Sequence, residues 1–154
     1  MNEGTNTHQG GLPTGITLDH AGYTVPNLDE AIAFFTDVLG FELISRHGPM
    51  ESSDDKMKRI FGVHPRASVH YAFLRYGNDK KVEIAEWHAP DQNTFSPKNS
   101  DLAGHHLAFT VADLDAAIAY PKGQPGVQIL EPNGRGFVYF STPWGMLMQI
   151  IASR

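Results

Sequence analysis

The chain contains no cysteine. That excludes a disulfide framework, a thiolate nucleophile and any metal site built on sulfur. Positive charge is in deficit: 12 Lys and Arg stand against 17 Asp and Glu, for a net charge of −5. Such a surface repels polyanions, so neither nucleic acid nor an anionic membrane is expected as a partner. Long apolar runs are missing as well. No stretch approaches the roughly 20 apolar residues of a membrane span, and the first residues lack the basic-then-apolar layout of a signal peptide. A cytoplasmic location is the expectation. With 41% hydrophobic residues, the 154-residue chain can bury one core, or two small halves sharing one.

What the chain does have is a repeat. The stretch HAGYTVPNLDEAIAFFTDVLGFEL from His20 is matched by HLAFTVADLDAAIAYPKGQPGVQI from His106, at a constant offset of 86 residues. Nine of the 25 positions from His20 to Ile44 are identical, among them His20/His106, Thr24/Thr110, Leu28/Leu114, Ala31/Ala117 and Gly40/Gly126. Chance composition would give roughly one or two. Each copy reads as an alternating strand, a Pro or Asp break with a capping residue, and a short helix, ended at Gly40 in the first copy and followed by a loop ending at Gly126 in the second. In the first copy Asn27 or Asp29 caps the helix, and Ala31, Ile32, Phe34, Phe35 and Val38 form its buried stripe.

Further strands follow in each half. Val69 to Tyr76 and Lys81 to Trp87 turn at Gly77-Asn78-Asp79, and Phe137 to Ser141 and Met146 to Ala152 turn at Pro143-Trp144-Gly145. Between Gly48 and Ser68, Ser52 or Ser53 is expected to cap a short helix, with Met57, Ile60 and Phe61 on one face and Gly62 ending it. The expected fold is α+β, two βαβββ modules in tandem forming a cupped eight-stranded sheet. Residues 1–15 form a disordered leader, 16–90 the first module, 91–102 a connector and 103–154 the second module. Each helix covers one sheet face, and the opposite faces are expected to line a shared cleft.

Strand alternation then selects side chains for the open faces. Ala21, Tyr23 and Val25, with Leu107, Phe109 and Val111, make the continuous apolar side, so His20 and His106 point to the other side while Asp19 and His105 do not. On the closing strands Val82 and Ile84 face the helix and leave Glu83 on the open face; Met148 and Ile150 do the same for Gln149. Two imidazoles, a carboxylate and an amide oxygen suit a divalent ion such as Zn, Ni, Co or Mn. His47, His64, His70, His88 and His105 read as surface or supporting residues, and Arg46, Arg59, Arg66 and Arg135 as candidates for an anionic tail.

From Ile16 to Ser153 the chain resembles the vicinal oxygen chelate superfamily, the group of glyoxalase I, methylmalonyl-CoA epimerase and the extradiol dioxygenases. The likeness rests on LDHAGYTVPNLDEAIAFFTDVLGFEL, VEIAEW, GHHLAFTV and TPWGMLMQII. It implies metal ligands on the strands bearing His20, Glu83, His106 and Gln149. It also implies a lyase or isomerase of glyoxalase I or epimerase type, acting on a small molecule such as a glutathione hemithioacetal or an acyl-CoA thioester. In that chemistry a divalent ion binds two vicinal oxygens and acidifies a neighbouring C–H, with Glu83 or an unidentified second base moving the proton. Members of this length build their cleft across a dimer or within one chain, and a homodimer is the expectation here. Gln149 departs from the family pattern, in which isomerases usually carry glutamate and the iron dioxygenases require it. Ring-cleaving dioxygenase chemistry is thereby disfavoured. The alternative reading is a metal-free, drug-sequestering binding protein of the bleomycin-resistance type.

Overall fold

The computed structural model describes residues 17–154; the leader expected over residues 1–15 lies outside the described residues. Among the described residues there are eight strands in two four-stranded sheets, each unit following the expected βαβββ plan. The chain divides into two compact units, 1–50 with 68–87 and 51–67 with 88–154. The segment 51–67 therefore groups with the second unit, although it joins two strands of the first.

In the first unit, β1 (Ala21–Thr24), β2 (Glu42–Met50), β3 (Ser68–Tyr76) and β4 (Lys80–His88) are ordered β1-β4-β3-β2. Asn27 caps α1 (Leu28–Ala33), its side chain accepting from the Glu30 amide at 2.9 Å. The helix widens into a π-helical turn over Phe34–Val38, with the Leu39 amide donating to the Phe34 carbonyl at 3.2 Å. That extra residue per turn lets two adjacent aromatics, Phe34 and Phe35, both be buried. Phe35 meets Phe41 edge-on at 5.1 Å. Val25, Leu28, Ala31, Leu74, Val82 and Ile84 fill the rest of this core.

The second unit holds β5 (His106–Val111), α3 (Leu114–Lys122), β6 (Gln128–Ile129), β7 (Phe137–Ser141) and β8 (Leu147–Ala152), ordered β5-β8-β7-β6. Asp113 caps α3, accepting from the Ala116 amide at 3.0 Å. Val138, Phe140, Met148 and Ile150 are its buried strand residues.

The short helix between β2 and β3 exists as α2 (Lys56–Phe61), ended by Gly62 at φ 68°. One expectation for it fails. Its cap position is Asp55, because the Ser52 hydroxyl is engaged with the Asp54 carboxylate at 2.6 Å. Met57 alone of its apolar residues is buried; Ile60 and Phe61 are 58% and 43% exposed. The i, i+3, i+4 spacing puts the three on one side of the helix, but only Met57 is covered there. Among the described residues, no helix is long and apolar enough to cross a membrane.

Candidate active site

Sheet register decides which side chains share a face. In the parallel pairing of β1 with β4, Ala21 lies opposite Val82 and Tyr23 opposite Ile84, while Gly22 lies opposite Glu83. Val82 and Ile84 are core residues, so Gly22 and Glu83 belong to the open face, as alternation requires. The second unit reproduces this: Leu107 opposes Met148, and Ala108 opposes Gln149.

His20, one residue ahead of β1, leans over the same open face. Its Nε2 stands 3.8 Å from Glu83 Oε2, with the two side chains 32% and 30% exposed. That separation is too long for a hydrogen bond. The other ring nitrogen, Nδ1, is 2.6 Å from Asp19 Oδ2, and Lys81 Nζ holds the second Asp19 oxygen at 3.1 Å. Those two contacts, His20 first, hold the Asp19 carboxyl below the ordinary carboxylate range. An ionised carboxylate only accepts, so Nδ1 carries the proton of the contact and Nε2 is turned toward Glu83. The lowered value fixes the pH sign: the contact is complete above the ordinary carboxylate range and is lost only as acid protonates Asp19.

Alternation pointed Asp19 away from the site. The pairing with β4 begins at Ala21, and residues ahead of a ladder are not bound by its parity.

An aromatic surface lies beside the pair. Phe73 meets the His20 ring edge-on at 5.1 Å and an interplanar angle of 81°, and Tyr71 meets Phe73 at 6.0 Å and 89°. In the second unit Tyr139 meets His106 at 5.2 Å and 80°, and Phe137 meets Tyr139 at 5.9 Å and 89°. The histidine-aromatic-aromatic arrangement is thus part of the repeat, although sequence comparison did not show it. These aromatics are related by 66 residues, 73 to 139, whereas the histidines are related by 86. The difference, 86 − 66 = 20, reflects the longer connection between β2 and β3.

His106 and Gln149 both lie on the open face of the second sheet, with Gln149 opposite Tyr139 in the β7–β8 register. The repeat position of Asp19 is filled by His105, whose Nδ1 is 3.0 Å from the Ala103 carbonyl oxygen. Among the described residues, no three His, Asp or Glu side chains gather into one metal-holding cluster. The His20–Glu83 pair is what the first unit assembles.

Three of the four candidate arginines are engaged locally. Arg46 pairs with Asp29, Arg59 with Asp55, and Arg66 donates to the carbonyls of Ser52 and Asp54.

Fold and site together define the class. The chain belongs to the Glyoxalase/Bleomycin resistance protein/Dioxygenase superfamily, whose model matches residues 19–131. This bears out the resemblance carried by the His20 and His106 stretches.

Among individual proteins, it is 43% identical over 150 residues to a 2-epi-5-epi-valiolone epimerase from an Actinomyces species, covering 92% of this chain and 81% of that protein. A glyoxalase family protein from Bacillus cereus superposes with a TM-score of 0.72 at 19% identity, over 90% of this chain and 95% of that one. The fosfomycin resistance protein FosX from Listeria monocytogenes, in complex with Mn(II) and sulfate, superposes with a TM-score of 0.60 at 18% identity, over 90% and 93%. At such identities the two structures speak for the fold alone.

Proposed function

We propose that the protein is an epimerase acting on a polyhydroxylated ketone, inverting a carbon next to the carbonyl. The observation that carries the reading is the 43% identity to an epimerase whose substrate, by its name, is such a ketone. The site chemistry agrees with it. A hydrogen on a carbon beside a carbonyl is acidic enough for a carboxylate to remove, and Glu83 presents a partly exposed carboxylate on an open sheet face. This narrows the expected substrates away from glutathione hemithioacetals and acyl-CoA thioesters. The drug-sequestering alternative is not favoured, because the relative is an enzyme.

The proposed metal ligands are His20, Glu83, His106 and Gln149. The first unit fits an ion on its own geometry. Two donors 3.8 Å apart, too far to bond each other, suit a shared ion with bonds of about 2.1 Å each. Asp19 holds the imidazole in the form that offers Nε2. When bound, a divalent ion would supply Lewis-acid polarisation of the substrate oxygens. The chain's own part is to orient His20 through Asp19 and Lys81, and to take the proton at Glu83.

Asp19→Asn should lower the affinity for Mn(II) about 10–100-fold, because an amide no longer enforces the Nδ1–H form. Titration of the purified protein with Mn(II) measures this. Unchanged affinity would remove Asp19 from the site.

The functional reading itself is tested by incubating the protein with 2-epi-5-epi-valiolone in D2O and following the spectrum. Interconversion of epimers with deuterium entering the inverted carbon is expected, and chelation by EDTA should suppress both. Absence of interconversion and of exchange, in protein carrying metal, overturns the reading.

A further inference from the structure

Inversion at a carbon beside a carbonyl passes through a planar intermediate with two faces. A proton taken from one face and returned to the same face changes nothing, so a second proton-carrying group must stand opposite Glu83. Gln149, at the repeat position of Glu83, cannot carry a proton in this way.

The open face of the first sheet offers candidates strand by strand. Lys81, on β4 beside Glu83, is tied to Asp19 at 3.1 Å and lies over the Phe73 ring at 5.5 Å. Arg75 on β3 and Glu42 on β2 neutralise each other at 2.8 Å. The Tyr71 ring is covered by the His47 ring, stacked at 4.9 Å and 25°. His47 itself is exposed, and its Nε2 is 2.9 Å from the Ser45 hydroxyl. In the β2–β3 register Ser45 lies opposite Phe73 and His47 opposite Tyr71, so both share the face that carries the aromatics.

From these placements we infer that His47 is the second acid–base group of the site, working against Glu83 across an aromatic floor made by Phe73 and Tyr71. The inference rests on the epimerase reading. Strands β2 and β4 flank β3, which places them about 10 Å apart. Side chains rising from those two strands can reach one ring standing on the floor from its two sides. Gly22, opposite Glu83 in the register, keeps that side of the carboxylate clear: a Cβ there would meet nothing nearer than Glu83 Oε1 at 3.9 Å. Imidazole carries a nitrogen that can donate a proton and one that can accept, so it can work in either direction.

The steps balance. The Glu83 carboxylate takes the proton from the carbon, and the C–H electron pair moves to give the enolate. The His47 imidazolium donates its proton to the opposite face as the carbonyl re-forms. Glu83 is left protonated and His47 neutral, and exchange with water resets both. The other epimer uses the two groups in reverse order.

The experiment uses His47→Asn and His47→Gln beside wild type and Glu83→Gln, each incubated in D2O with 2-epi-5-epi-valiolone and, separately, with its product epimer. Interconversion by the His47 variants should fall on the order of 100-fold or more, while deuterium wash-in from one epimer stays within about tenfold of wild type. Glu83→Gln should retain wash-in from the opposite epimer. His47 variants that interconvert at the wild-type rate, or that lose wash-in from both epimers equally, overturn the assignment. If wild type itself neither exchanges nor interconverts, the epimerase reading falls, and the assignment of His47 falls with it.

Discussion

Replacing Glu83 with glutamine should lower the epimerisation rate by about 10²–10⁴-fold while leaving the fold intact, because general acid–base catalysis contributes on that scale. The isostere separates the two roles assigned to this side chain. A glutamine carbonyl oxygen can still lie near His20 Nε2, but the amide cannot accept a proton from carbon. Folding should be indifferent, since Glu83 sits on the open face and the change lies within the ±0.5 kcal/mol typical of such sites. The second unit supplies a precedent: Gln149 occupies the equivalent place on β8, opposite Tyr139. Steady-state rates and metal content measured on the same preparation decide the matter. Full activity with full metal content would take Glu83 out of the mechanism.

Gly104→Ala should be the most damaging small substitution for stability. A Cβ at this position would stand 2.5 Å from the Lys98 carbonyl oxygen, 2.6 Å from that of Asn99 and 2.8 Å from that of Asp101. All three are backbone atoms in a segment closed by its own hydrogen bonds: Lys98 amide to Asp101 carboxylate at 2.8 Å, and Gly104 amide to Asp101 carbonyl at 2.8 Å. No flexible side chain can yield, so the segment itself must move. A cost on the order of 3 kcal/mol follows from such overpacking. For a chain of this length that lowers Tm by roughly 6–12 °C in a thermal melt. A Tm within about 2 °C of wild type would mean that the three carbonyls give way without cost.

The duplicated His20 and His106 stretches made the fold legible, since they gave strand, cap and helix twice over. Alternation then placed Glu83 and Gln149 on the open faces, and the registers of β1 with β4 and β5 with β8 agree. Three parts of the site were not legible. Asp19 precedes the paired strand, so alternation said nothing valid about its side chain. The aromatics Tyr71, Phe73, Phe137 and Tyr139 repeat at an offset of 66 residues, where Ile84/Ile150 is the single identity between 69–88 and 135–154. A second self-comparison by residue class at that offset would have been the signal. His47 carried no mark in the sequence, because its standing depends on the cross-strand neighbours Tyr71 and Phe73. Helix α2 forms where its spacing placed it, but spacing alone does not say how much of its apolar side is covered.

The placement of 51–67 bears on how the two halves can be inherited. The backbone leaves the first unit after Met50, re-enters it at Ser68 and leaves again after Trp87. Neither half is therefore an uninterrupted stretch of the gene. A fragment ending at residue 87 carries α2 away from the unit it groups with, and a fragment starting at residue 88 lacks Met57, a side chain only 1% exposed in the whole chain. Recombination that swaps one unit for that of a relative would have to exchange two separate segments to keep it whole.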